Sequence, residues 1–62
     1  MPVITVEGAL MNIEQKRKLA EVLTREAAEI MKAPEGAFIV LLKENSTENI
    51  GVGGRLLADK KK

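Results

Sequence analysis

Residues 37–42 read Ala37-Phe38-Ile39-Val40-Leu41-Leu42, six apolar side chains in a row, followed by Lys43-Glu44. A run this short, rich in branched residues and without polar alternation, is the pattern of a strand buried on both faces. Immediately upstream, Pro34 and Gly36 close a long amphipathic stretch. Its apolar residues Leu19, Val22, Leu23, Ala27, Ile30 and Met31 follow i, i+3, i+4 spacing, while Lys16, Arg17, Lys18, Glu21, Arg25, Glu29 and Lys32 occupy the other faces. Asn12 and Gln15 form a capping-box pattern, and Glu14 adds an acid to the first turn. The spacing predicts a helix from near Ile13 to just before Pro34, about 20 residues and about 30 Å long. Further back, Pro2-Val3-Ile4-Thr5-Val6 is β-branched and short and reads as a strand, which Gly8 ends. Gly8-Ala9-Leu10-Met11 is then the connecting loop.

Strand, helix and strand give an α+β fold: a single β-α-β unit with parallel strands, spanning residues 1–62 as one domain. The helix can cover only one face of a two-stranded sheet. The other face of the 37–42 run needs cover from outside the chain, most simply from further copies of it. Length leads to the same expectation. A chain of 62 residues buries only about 60% of its unfolded surface, and such domains often need disulfides, a metal or oligomerisation. With no Cys and no His, self-association is the leading route.

Beyond the second strand, Asn45 to Asn49 is polar and turn-like, and Ile50-Gly51-Val52-Gly53-Gly54 follows. A phosphate-binding loop would have to open a helix, and only eight residues remain after Gly54. The glycines therefore read as a sharp turn or a tight backbone approach at an interface. Arg55-Leu56-Leu57-Ala58 reads as a short C-terminal extension packing on a neighbour.

Composition excludes several chemistries. The absence of Cys and His removes zinc fingers, Ser-His-Asp and Cys-His nucleophiles and disulfide frameworks; no metal and no cofactor is expected. Ten Lys+Arg face nine Asp+Glu, but three of the cations are Lys60, Lys61 and Lys62, read as a flexible solvated tail. Without them, seven cations against nine acids leave a body of charge −2. That is no nucleic-acid footprint. There is neither an apolar leader pattern nor a run of about 18 apolar residues, so no membrane partner is expected and the cytoplasm is the expected compartment.

With no His available, one position stands out for acid-base work. Initiator methionine is normally removed before a residue as small as Pro2, and the exposed nitrogen would be a conformationally fixed secondary amine. An α-amino group has a reference pKa of about 7.7–8.0. Apolar surroundings or a nearby cation favour its neutral form, which places it where a general base works well at neutral pH.

Several features together resemble the 4-oxalocrotonate tautomerase family. They are Pro2 before a β-branched strand, Glu14-Gln15-Lys16 at the helix start, Ala33-Pro34 before the apolar strand, Glu44 at its end, and Gly51-Val52-Gly53-Gly54 near the C-terminus. The likeness runs over essentially the whole chain. It implies a homohexamer, a trimer of βαβ dimers, and a keto-enol tautomerase acting on a small unsaturated 2-hydroxy or 2-oxo acid. In that scheme Pro2 takes a proton from one position of the dienol and returns it two carbons along, while a cation holds the substrate carboxylate and stabilises charge on the neighbouring oxygen.

The chain departs from the family pattern at the cations. Members acting on the dicarboxylate carry one arginine in the loop after the first strand, where this chain has Ala9-Leu10-Met11, and another where Ile39 stands. Their pocket phenylalanine is Ile50 here. Replacement cations would be Lys43, Lys32 or Arg55. Lys43 lies four positions beyond Ile39 and so on the same strand face. Lys32 sits at the helix-to-strand loop, near where trimeric relatives resembling macrophage migration inhibitory factor place a lysine. Each also has a plain reading as a solvated lysine, and Lys32 complements the negative end of its helix. Ile39, Ile50 and Val52 would make the pocket apolar. A competing expectation is an oligomeric ligand-binding or structural protein that retains the scaffold without efficient tautomerase activity. A ribbon-helix-helix DNA binder is disfavoured, because Val3, Ile4 and Val6 are apolar and a strand pattern stands where its second helix should be.

Overall fold

A computed structural model describes residues 1–59 of the chain; the lysine tail at 60–62 lies outside the described residues. Strand β1 (Val3–Gly8) leads into helix α1 (Ile13–Met31), a 3-10 turn (Glu35–Ala37) and strand β2 (Ile39–Glu44). A second 3-10 turn (Thr47–Asn49), a hairpin of β3 (Gly51–Val52) and β4 (Arg55–Leu56), and a final 3-10 turn (Leu57–Asp59) complete the described chain. β1 and β2 pair in parallel, from Val3 opposite Ile39 to Gly8 opposite Glu44. The expected β-α-β unit is thus observed.

Helix α1 begins where the capping box places it. The Asn12 side chain accepts from the Gln15 amide at 2.8 Å and the Gln15 side chain accepts from the Asn12 amide at 3.0 Å, so two of the helix's unpaired donors are satisfied reciprocally. The helix ends at Lys32, which adopts left-handed backbone (φ 56°, ψ 48°) and sends its amide back to the Ala28 carbonyl. Pro34, two residues on, prevents continuation.

Two boundaries and part of one helix face differ from the sequence reading. Gly8 does not break β1: it pairs with Glu44, and its carbonyl accepts from the Asn45 amide at 2.8 Å. β2 starts at Ile39 rather than Ala37, because the Ala37 and Phe38 amides are bonded to the Pro34 and Glu35 carbonyls in the preceding turn. Lys43 and Glu44 are then its last two residues. Ile30 and Met31 are exposed, at 77% and 57%; of the expected apolar face of α1, Leu19, Val22, Leu23 and Ala27 are covered, together with Ala20, Thr24 and Ala28.

The layers are few. Ile4, Val6, Val40 and Leu42 are half-buried, whereas Val3, Thr5, Ile39 and Leu41 on the alternate positions are exposed. Period-two alternation therefore leaves the second face of the sheet uncovered within one chain. Among the described residues only Ala28 is buried, at 7% exposure. The accessible surface of 4941 Å² exceeds by about 1,000 Å² what a folded monomer of this mass exposes. The radius of gyration of 15.1 Å compares with about 10.5 Å for a compact chain of this length. In the hairpin, Gly53 and Gly54 take φ of 63° and 86° between paired Val52 and Arg55. Two consecutive positive φ values are what a two-residue I′ turn requires, so the glycine motif is a sharp turn. Among the described residues no helix is long and apolar enough to cross a membrane.

Candidate active site

Pro2 stands one residue before β1, half-buried, with the exposed Met1 ahead of it. Its carbonyl accepts from the Ile39 amide at 3.0 Å, which ties the start of the chain to the start of β2. The ladder uses only the carbonyl of this residue. A proline nitrogen has no hydrogen to donate within a peptide bond, so it loses no strand pairing by sitting here.

The parallel register decides which candidate residues share this end of the molecule. Val3 is opposite Ile39, so Ile39 is beside Pro2, with its side chain on the open face and 41% exposed. Helix α1 connects the far end of β1 back to the start of β2, so its C-terminal Lys32 belongs to the Pro2 end as well. Lys43 is on the same face as Ile39 and Leu41, as its spacing predicted, but it pairs with Glu7 near the opposite end of the sheet. Four residues of strand put it about 13 Å along from Ile39. Ile50 and Val52 follow beyond that far end, in and before the hairpin, where Arg55 pairs with Val52. One chain therefore brings Pro2, Ile39 and the Lys32 loop to one end, and leaves Lys43, Ile50 and Val52 towards the other.

A cluster that the sequence reading left unassembled closes the far end. Glu44 Oε1 is 2.7 Å from Lys16 Nζ, and Glu44 Oε2 accepts from the Met11 amide at 2.7 Å. This joins the end of β2, the first turn of α1 and the loop between β1 and α1. The Lys16 hydrogen bond, followed by the Met11 amide, lowers the Glu44 carboxyl below its ordinary value of 4.5, against a smaller opposing effect of desolvation. A carboxyl lowered on folding stabilises the fold fully above the ordinary glutamate range, and that contribution is lost as pH falls through the lowered folded value. Glu44 and Lys16 were visible singly, at a strand end and a helix start. Their meeting required the strand pairing, because 33 positions separate Met11 from Glu44. Among the described residues no three His, Cys, Asp or Glu side chains gather as a metal site.

Comparison with known proteins places the chain. The profile of the tautomerase enzyme family matches residues 2–60, beginning at Pro2. A Bacillus cereus protein named "Probable tautomerase" is 41% identical over 63 residues, covering 97% of this chain and all of that one. Among solved structures, a 4-oxalocrotonate tautomerase homologue superposes with a TM-score of 0.90 at 30% identity over the full length of both chains. DmpI from Archaeoglobus fulgidus superposes with a TM-score of 0.83 at 43% identity, over 94% of this chain and all of that one. The chain belongs to the tautomerase family and is an enzyme of the isomerase class.

Proposed function

We propose that this enzyme is a keto-enol tautomerase of small unsaturated 2-hydroxy or 2-oxo acids, of the 4-oxalocrotonate or 2-hydroxymuconate type, with Pro2 as its general base and acid. The reading is carried by the placement of Pro2: it is the first residue of the family match, and only its carbonyl is used by the sheet. Once Met1 is removed, its nitrogen is a secondary amine held at the sheet end. The neutral amine removes a proton from C3 of a β,γ-unsaturated 2-oxo acid, leaving a dienolate. The resulting ammonium returns that proton at C5, so the double bond moves into conjugation and the amine is regenerated. No other acid-base group is required by this cycle.

The dienolate oxygen and the carboxylate beside it need a cation. Lys32, at the Pro2 end of the same chain, supplies it in this reading; Lys43 can do so only from another copy. Ile39, Ile50 and Val52 form apolar walls, the last two also from other copies, within a homohexamer built as a trimer of dimers. Apolar walls favour the neutral amine. The cytoplasm is the proposed compartment.

The test is chemical. Acetylating the N-terminal nitrogen, or retaining Met1, converts the amine into an amide with no basicity. Ketonisation of 2-hydroxymuconate and phenylenolpyruvate near neutral pH should then fall by about 10²–10⁴-fold, the range attributed to general acid-base catalysis. Undiminished rates in the blocked protein would refute the assignment.

A further inference from the structure

The loop Ala9-Leu10-Met11 between β1 and α1 contains no proline to stiffen it. Among the described residues, one hydrogen bond joins it to a distant part of the chain, from the Met11 amide to Glu44 Oε2. The other oxygen of that carboxylate is held by Lys16 at 2.7 Å, so the anchor itself is fixed from two sides. Charge-assisted bonds of this length are the stronger kind. The loop it holds presents exposed apolar side chains, Leu10 at 64% and the adjoining Ile13 at 56%.

In one chain this loop cannot reach Pro2. β1 runs from beside Pro2 to Gly8, which separates the two ends by about 20 Å. Both strands of the sheet are edge strands, however, with backbone groups free to pair with another copy. Two copies joined along such an edge by a two-fold axis run antiparallel, and the loop end of one then lies beside the Pro2 end of the other.

We propose that Glu44 is a positioning residue of this enzyme: it anchors the Ala9–Met11 loop so that the loop of one copy is a fixed apolar wall beside Pro2 of another. The second half of this statement rests on the reading of Pro2 as the acid-base group. Glu44 itself touches no substrate. It acts by keeping Leu10 in place, so its loss weakens substrate binding more than proton transfer.

Full-length Glu44→Ala, Glu44→Gln and Lys16→Met proteins test this, by amide hydrogen exchange at residues 9–12 and by steady-state ketonisation of phenylenolpyruvate. In Glu44→Ala, exchange at Met11 should accelerate at least tenfold and KM should rise several-fold, with kcat within twofold of the parent. Glu44→Gln keeps an oxygen acceptor for the Met11 amide and should recover most of both effects, a rescue that a general loss of stability does not give. If Glu44→Ala does not fold, Lys16→Met must still loosen the loop and raise KM. Unchanged exchange at Met11, a loosened loop with parental KM, or failure of glutamine to rescue each overturns the proposal. A Pro2→Gly protein with parental kcat refutes the Pro2 assignment instead, and leaves the exchange result standing as a separate measurement.

Discussion

Lys32 occupies backbone that suits glycine. At φ 56° and ψ 48° its Cβ crowds the following carbonyl, at a cost of about 1–2 kcal/mol. Glycine would relieve that but lose about 0.5–1 kcal/mol of unfolded-chain entropy. Lys32→Gly should therefore stabilise the protein by about 0.5–1 kcal/mol, read as a higher denaturant midpoint at fixed protein concentration. If the ammonium holds the substrate carboxylate, the same variant binds phenylenolpyruvate more weakly. A stabilised protein with unaltered KM would return Lys32 to a purely structural place. Pro2 shows the opposite relation between residue and backbone: the strand needs only its carbonyl, so a residue without an amide donor costs the fold no strand hydrogen bond.

At the scale of elements, helix α1 depends on its start. The reciprocal Asn12 and Gln15 bonds satisfy two amide donors, and Asn12→Ala should cost about 1 kcal/mol, measured by the shift in urea midpoint with an unchanged slope. The same residues explain why the order of elements was legible in the sequence. Asn12, Gln15, Pro34 and the 37–42 run are local signals, and each acts within a few positions of itself. What failed to show depends on distance. Gly8 looked like a terminator until its pairing with Glu44 gave its backbone a partner. Lys43 was placed correctly on the Ile39 face, since face follows from parity, but parity says nothing of which end of the sheet a residue occupies. The Glu44 anchor was hidden for a related reason: residues 11, 16 and 44 become neighbours only once β2 lies beside β1.

For the whole molecule the controlling quantity is exposed surface. The excess of about 1,000 Å² over a monomer of this mass is close to the roughly 800 Å² that one partner contributes to a standard interface. Val3, Ile39 and Leu41 contribute part of it, as a strip on the open sheet face. Leu41→Asp puts a carboxylate in the middle of that strip, where a solvated single chain tolerates it and a buried interface does not. Light scattering should show the parent as an oligomer and the variant reduced to one chain of 6.8 kDa; an unchanged oligomer would move the interface to another surface. The chain measures only 15 Å through its thinnest dimension, and among the described residues one helix laid on the β1–β2 sheet forms no pocket of its own. If the walls beside Pro2 come from other copies, as proposed, catalysis belongs genetically to the assembly rather than to the polypeptide. In a cell expressing two alleles, a chain with a blocked nitrogen would then still lend its walls to a sound neighbour, and the harm done by a mutation would depend on whether it removes a base or a wall.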